Sequence, residues 1–215
     1  MATLANIQVA YKQALQDRDN QLEGINDPAT NAVRDASIEA AIRWYSRRYP
    51  NVITALVSSV AGGYYSPPTG FTATSRITSL EYPIDQSPPA YLSPKSYRIV
   101  RRETSLKIYV DINPSSAFRL TFTGKHDETA PTTIPDEHTA IVGRMAAVVS
   151  AMHFAARYAN SVQNNLDGVN YRSKEQEWRS VHDDLLKQIN NELRRDEIAL
   201  LTTSDVDAVF RGWRT

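Results

Sequence analysis

The hydrophobic periodicity of this 215-residue chain changes twice along its length. Towards both ends, apolar residues recur every three or four positions, which places them on one face of an α-helix. In the middle, apolar and polar residues alternate, which is the pattern of a strand with one buried and one exposed face. Separate helical and β segments predict an α+β fold, in which helices and sheets occupy different parts of the molecule.

Four segments carry the helical pattern, at residues 3–18, 28–49, 136–160 and 173–195. The apolar stripes predicted to face the core are Leu4, Ile7, Tyr11 and Leu15; then Ile38, Ala41, Ile42, Tyr45 and Tyr49; and finally Trp178, Val181, Leu185, Ile189 and Leu193. These stripes predict a helical bundle, because each needs a partner to cover it.

The third helical segment has a ridge of small residues. Its members recur every four positions and are Gly143, Ala147, Ala151, Ala155 and Ala159. Small side chains let a second helix approach closely. The ridge therefore predicts either a buried helix within one domain or a contact with a neighbouring subunit.

The middle of the chain, residues 62–133, is rich in proline and lacks a helical pattern. Strands are predicted at residues 76–82, 96–102, 105–112 and 117–124, and short turns between them indicate an antiparallel β-meander. We therefore expect a helical core formed by residues 1–61 and 134–195, with a β-rich insertion at 62–133 and an extended C-terminal tail at 196–215. Within the first helical part, residues 52–60 are expected to form a short helix.

Charge and composition exclude several classes of protein. The chain has 24 Lys and Arg and 24 Asp and Glu, so a strongly basic nucleic-acid-binding domain is not indicated. It has no cysteine, which excludes disulfides and thiolate metal sites. We find no secretory signal and no run of about 18 uninterrupted apolar residues. We therefore expect a soluble protein with no membrane partner.

Catalytic motifs are absent from the sequence. It contains no nucleophile elbow, phosphate-binding loop or dinucleotide fingerprint. The closest approach to a site is the pair of runs that hold His126, Asp136, Glu137 and His138. Acids at the start of a helix favour its dipole, so the expected role of the second run is structural. We predict no enzyme, no catalytic residue, no metal and no cofactor, and a metal-dependent hydrolase using these four residues stays as an alternative.

Two basic clusters are interleaved with aromatic residues. They are Arg43, Arg47 and Arg48 beside Tyr45 and Tyr49, and Arg98, Arg101 and Arg102 beside Tyr97. Such clusters can bind single-stranded nucleic acid by stacking. They can also be the solvated edge of a core face, an interface with an acidic protein, or the wall of a DNA channel. We single out Arg43, Arg47 and Arg48 as candidate interface or channel residues.

The tail contains few but large apolar residues. Val206, Val209, Phe210 and Trp213 are spaced too widely to bury much surface against their own domain. Aromatic residues flanked by arginines are typical of interface anchors. We therefore expect the tail to dock on a partner, with a disordered tail or one docked on its own domain as the alternative.

Three short motifs resemble those of head-to-tail adaptor (neck connector) proteins of tailed bacteriophages. They are EYPI with the following PP (Glu81–Ile84, Pro88 and Pro89), IPD (Ile134–Asp136) and YRSKEQEW (Tyr171–Trp178). The resemblance covers roughly residues 28–195 and brings no catalytic signature with it.

This resemblance implies a virion protein of the phage neck, assembled in the cytoplasm of the bacterial host. Such adaptors form a ring of about twelve copies that joins the portal to a stopper or tail. DNA passes through the ring without specific binding. The anchors Val206, Val209, Phe210 and Trp213 would then dock on the portal protein. The alternatives are another neck or tail-completion protein and, from other classes, the hydrolase or a nucleic-acid-binding module.

Overall fold

The computed structural model describes residues 1–19, 28–58, 62–102, 104–111, 116–161 and 171–195. The chain divides into a helical unit, residues 1–48 with 126–215, and a β unit, residues 49–125. The predicted α+β class is confirmed, because the helices and the strands lie in different units. The β unit begins 13 residues earlier and ends 8 residues earlier than the predicted insertion at 62–133.

The helical unit has four α-helices among its described residues. They are α1 (Leu4–Asp19), α2 (Pro28–Arg48), α3 (Thr139–Ser161) and α4 (Tyr171–Arg195). A short 3₁₀ turn, Asp136–His138, leads into α3. Helix α3 packs against each of the other three, so it is the central element of the unit.

Helix α3 is apolar on nearly all sides because three helices surround it. Its residues from Ile141 to Val149 are buried apart from the half-buried Arg144. Arg144 pairs with Glu192 on α4, so its charge has a partner. By length and composition, Asp136–Ala159 could span a membrane, but 67% of its most apolar stretch is buried within the protein. Burial of that kind is also what the central helix of a bundle requires.

The small-residue ridge of α3 faces its own unit. A Cβ atom on Gly143 would lie 2.5 Å from the Cβ of Ala10 and 2.8 Å from the backbone nitrogen of Tyr11. Ala147, Ala151 and Ala155 are buried as well. Gly143 therefore serves the close packing of α1 on α3, and burial of the three alanines within the unit favours the intradomain alternative of the two that the sequence left open.

A chain of buried hydroxyl groups links three helices. Tyr11 on α1 donates to Ser150 on α3 at 3.0 Å, and Ser150 donates to Ser37 on α2 at 2.9 Å. Ser37 in turn donates to the carbonyl of Val33 at 2.7 Å. Because every hydroxyl has a partner, the chain adds specificity to the packing without leaving a buried polar group unsatisfied.

The β unit contains two antiparallel three-stranded sheets. Their strands are β1 (Asn51–Val57), β2 (Tyr64–Tyr65), β3 (Ile77–Glu81), β4 (Tyr97–Arg102), β5 (Ser105–Val110) and β6 (Phe118–Gly124). The strand orders are β1-β6-β3 and β2-β5-β4. The predicted single meander is wrong, because β5 and β6 follow each other in the chain but belong to different sheets.

A short helix was predicted at residues 52–60, but Asn51–Val57 form strand β1. Ile53, Ala55 and Val57 pack on the core of the unit, while Val52 and Leu56 are exposed. That alternation is the period of a strand, and β-branched residues favour it.

Both sheets contribute to one core. Its buried members are Val57, Tyr65, Leu80, Ile108, Val110, Phe118, Leu120 and Phe122. The Tyr65 and Phe118 rings, from different sheets, meet edge to face with their centroids 4.8 Å apart. Ile108, Phe118 and Leu120 are fully buried, so the alternation predicted for the middle of the chain is confirmed in β5 and β6.

Candidate functional site

The helical arginines singled out by sequence differ in their partners, and their role as interface or channel residues stays a prediction. Arg43 is held by two carboxylates, since its Nη2 lies 3.4 Å from Glu39 and its Nε lies 3.4 Å from Glu128. Arg48 lies over the Trp44 ring at 5.6 Å. Arg47 is exposed. The neighbouring Tyr45 is buried in the core, so this region is a core face with a basic edge.

The predicted hydrolase residues also have structural partners. His126 is buried, with its backbone N–H donating to Ser46 at 3.1 Å and its ring Nδ1 lying 2.7 Å from the Thr133 hydroxyl. His138 Nδ1 is hydrogen-bonded to the Tyr45 hydroxyl at 2.5 Å. The Tyr45 ring contacts both histidines, with centroid distances of 5.2 Å to His126 and 5.7 Å to His138.

The two acidic members of that set stay at the surface. Asp136 pairs with the amino group of Met1, and Glu137 is exposed. Nowhere in the described part of the chain do three His, Asp or Glu side chains come close enough to share a metal ion. The residues named in the hydrolase hypothesis therefore do not assemble into the site that it requires.

The predicted docking anchors Val206, Val209, Phe210 and Trp213 lie outside the described residues. Their role stays a prediction.

The second basic cluster is divided by the strand that carries it. On β4, Arg98 and Arg102 lie on one face, while Tyr97 and Arg101 lie on the other. Tyr97 packs against the core of the β unit. In the sheet, Arg98 is paired with Tyr109 on β5, and Tyr109 is paired with Tyr64 on β2.

The outer face of the β2-β5-β4 sheet thus gathers five side chains, which we name the arginine–tyrosine face. They are Tyr64, Arg98, Arg102, Lys107 and Tyr109. The Tyr64 and Tyr109 ring centroids are 4.9 Å apart. The Arg98 guanidinium lies 4.9 Å from the Tyr109 ring, and that of Arg102 lies 5.0 Å from the Tyr64 ring. Each tyrosine is therefore covered by an arginine and by the other tyrosine.

A cleft of about 300 Å³ opens beside the arginine–tyrosine face. Tyr64 and Lys107 line it together with Leu56 and Pro68. Lys107 Nζ donates to the Ser66 hydroxyl at 3.0 Å, and both residues line the cleft. The cleft thus combines a cationic group with apolar lining residues.

Sequence reasoning found Arg98 and Arg102 but missed Tyr64, Lys107 and Tyr109. Because side chains alternate between the two faces of a strand, the sequence of β4 could have shown that Arg101 lies on the other face from Arg98 and Arg102. The pairing of β2 with β5 was not available, because nothing local in the sequence links Tyr64 to a residue 45 positions later.

No protein-family model matches the chain, and no curated protein matches it.

Proposed function

We propose that this protein is a structural virion subunit of the tailed-phage neck. In this role it forms a ring that joins the portal to the tail or stopper and continues the DNA channel. The observation that carries the proposal is that the motifs of the adaptor resemblance coincide with residues that hold each unit together. A motif whose residues hold the fold together indicates a shared architecture and not a shared catalytic reaction.

Glu81 of the EYPI motif is the clearest case. Its side chain is buried, and it accepts a hydrogen bond from Arg119 Nη1 at 2.6 Å and another from the backbone N–H of Asp85 at 3.2 Å. Arg119 also donates to the Asp85 carboxylate at 2.8 Å. These contacts join the ends of β3 and β6 to the loop that follows β3. The buried charge is thus fully paired.

The other two motifs have similar positions in the helical unit. Ile134 of IPD is fully buried, and its carbonyl accepts a hydrogen bond from the N–H of Ala2 at 2.9 Å. Trp178 of YRSKEQEW is buried on α4, and its ring lies 4.9 Å from that of Phe154 on α3. Both residues close the bundle around α3.

The charge distribution supports assembly into a ring. Residues 49–125 carry eight Lys and Arg against four Asp and Glu, a net +4. The rest of the chain carries 16 against 20, a net −4. A ring needs two different and complementary surfaces on each copy. Oppositely charged units supply such complementarity and orient the copies as they meet.

Particle mass and symmetry test the proposal directly. Native mass spectrometry and electron-microscopy class averages of the purified protein, alone and mixed with the portal of the same phage, should show a ring. About twelve copies are expected from the resemblance. A strict monomer that never associates with a portal would contradict the proposal. A ring located elsewhere in the neck would favour another neck or tail-completion protein.

The tail provides a sharper test of portal docking. Replacing Val206, Val209, Phe210 and Trp213 by alanine should abolish portal attachment, because large apolar anchors dominate interface energetics. A matched variant, with Thr202, Thr203 and Ser204 replaced by alanine, should attach normally. Circular dichroism of both variants should match the parent. Attachment that survives the loss of all four anchors would refute the assignment of the tail.

A further inference from the structure

The three strands under the arginine–tyrosine face contain no acidic residue. Strands β2, β4 and β5 have the sequences YY, YRIVRR and SLKIYV. Within these described strands, the outer face carries three cationic side chains, Arg98, Arg102 and Lys107, and no carboxylate; Glu103, between β4 and β5 in sequence, lies outside the described residues. Arg98 and Arg102 are exposed, and Asp111 lies beyond the end of β5. An uncompensated group of cations on a sheet face favours an anionic partner.

The stacked arginines are held in place for such a partner. A guanidinium over an aromatic ring is attracted to the ring face. It keeps its in-plane N–H donors, which can bind phosphate or carboxylate oxygens in pairs. Arg98 and Arg102 are four positions apart on β4, so their Cα atoms lie about 14 Å apart. Each guanidinium lies over a different tyrosine ring, so the two offer separate positions for anionic groups.

The remaining groups of the face indicate phosphate as the anion. Hydroxyl donors from Tyr64 and Tyr109 accompany the three cations. Arginine, lysine, serine and tyrosine are the side chains that contact nucleic-acid phosphates. One face of each tyrosine ring is covered by a guanidinium, Arg98 over Tyr109 and Arg102 over Tyr64, and the two rings meet at a tilt. The covered faces are closed to stacking bases, which favours contact with the backbone.

We propose that the arginine–tyrosine face binds the phosphodiester backbone of nucleic acid without reading its sequence. The inference goes beyond the neck proposal and does not depend on it. The net +4 of the β unit attracts a polyanion over longer range. Three phosphate contacts give a slope of log affinity against log salt of at most about 2.7. Binding by one copy is accordingly weak, and an array of copies strengthens it by avidity.

A pair of charge-matched variants tests the proposal on the full-length protein. In Arg98→Gln/Arg102→Gln, both stacked arginines of the face are removed. In the control, Lys95→Gln/Arg101→Gln, the same charge is removed from the same unit, with Arg101 on the opposite face of β4. Fluorescence anisotropy of a labelled mixed-sequence duplex, at roughly 50 to 200 mM salt, reports affinity and salt slope.

The expected results differ clearly between the two variants. The Arg98→Gln/Arg102→Gln variant should lose on the order of tenfold or more in affinity at low salt, and its salt slope should fall by about 2. The Lys95→Gln/Arg101→Gln control should bind like the parent. A second duplex of unrelated sequence should bind equally well to the parent protein.

Three outcomes would overturn the proposal. The first is equal loss of affinity in both variants, which would show a general charge effect. The second is no binding of the duplex by the parent at about 50 mM salt, where phosphate contacts are strongest. The third is capture of a labelled polyglutamate peptide without capture of the duplex, which would identify an acidic protein as the partner. None of these outcomes changes the particle mass, so the neck proposal would be judged separately.

Discussion

At the scale of single residues, Tyr65 is a buried tyrosine whose hydroxyl has no hydrogen-bond partner in the described part of the chain. Burial raises the pKa of this tyrosine above its ordinary value of 10.0, and the nearby Tyr82 raises the pKa further. An unsatisfied buried hydroxyl costs free energy of folding, and its ionised form costs more. The Tyr65 ring therefore stabilises the β core by packing, while its buried hydroxyl lowers the stability of the fold.

The variant Tyr65→Phe should keep the stability of the protein at pH 7 or raise it by up to about 1 kcal/mol. Tyrosines of the unfolded chain ionise near pH 10.0, while Tyr65 in the folded protein stays protonated to higher pH. Unfolding then releases a proton, so stability falls as pH rises through this range. Above pH 10 the variant should lose less stability than the parent, as measured by denaturant unfolding at several pH values.

Tyr11→Phe is the control for this prediction. The Tyr11 hydroxyl donates to Ser150, so removing it should cost about 1 kcal/mol at pH 7. If Tyr65→Phe were as destabilising as Tyr11→Phe, the Tyr65 hydroxyl would have a partner after all.

At the scale of elements, the contact between α1 and α3 depends on one glycine. The backbone of α1 at Ala10 and Tyr11 approaches Gly143 so closely that any side chain there would meet it at under 3 Å. Alanine is a better helix former than glycine by about 1 kcal/mol. Here the steric term should exceed that gain, because the nearest atoms are mostly backbone and cannot rotate away.

Gly143→Ala should therefore destabilise the protein by about 1–3 kcal/mol, as overpacking does elsewhere. The measurement is the midpoint of denaturant unfolding. Adding Ala10→Gly should restore only part of the loss, since the Ala10 carbonyl carbon and the Tyr11 nitrogen remain in the way. An unchanged midpoint in Gly143→Ala would mean that α1 can move outward at no cost.

Strand β5 shows how one element serves two purposes. Ile108 and Val110 point into the core of the β unit, and Lys107 and Tyr109 belong to the arginine–tyrosine face. Because successive side chains of a strand alternate between faces, the core fixes which residues reach the outer surface. A shift of register by one residue would bury Lys107 and expose Ile108. The apolar core beneath the arginine–tyrosine face thus fixes which side chains belong to that face.

At the scale of the whole molecule, the chain builds two units that carry opposite net charge. The β unit is continuous in sequence and has its own core, drawn from both of its sheets. The helical unit is completed only after the chain has passed through the β unit. Because the β unit is continuous in sequence and has its own core, we predict that it can fold alone.

Residues 49–125, expressed by themselves, should give the circular dichroism of a β protein and a cooperative thermal transition. A segment of this size is within the range in which single domains fold without staples. Leu120→Ala in the same fragment is the matched control, because it opens a cavity at a fully buried position and should cost about 2–5 kcal/mol. A fragment without a cooperative transition would show that the helical unit supplies part of the β core.

Local patterns in the sequence were enough to predict the class of the fold, the four helical segments and the alternation of buried and exposed residues in β5 and β6. These follow from local periodicity, since the buried side chains of an amphipathic element recur at its own repeat. The same local information was insufficient at residues 52–60, where a short apolar run with alternating exposure fits either a helix or a strand. Only pairing of this segment with β6 makes it a strand.

The tertiary structure decided which strands share a sheet and which charges share a surface. Sheet pairing joins residues far apart in the chain, so it brought Tyr64 and Tyr109 to Arg98, and left Arg101 on the other face. It also placed Gly143 of the α3 ridge against α1, and left Asp136 and Glu137 exposed while His126 is buried. Such contacts depend on the packing of whole elements, which no local pattern in a single sequence records.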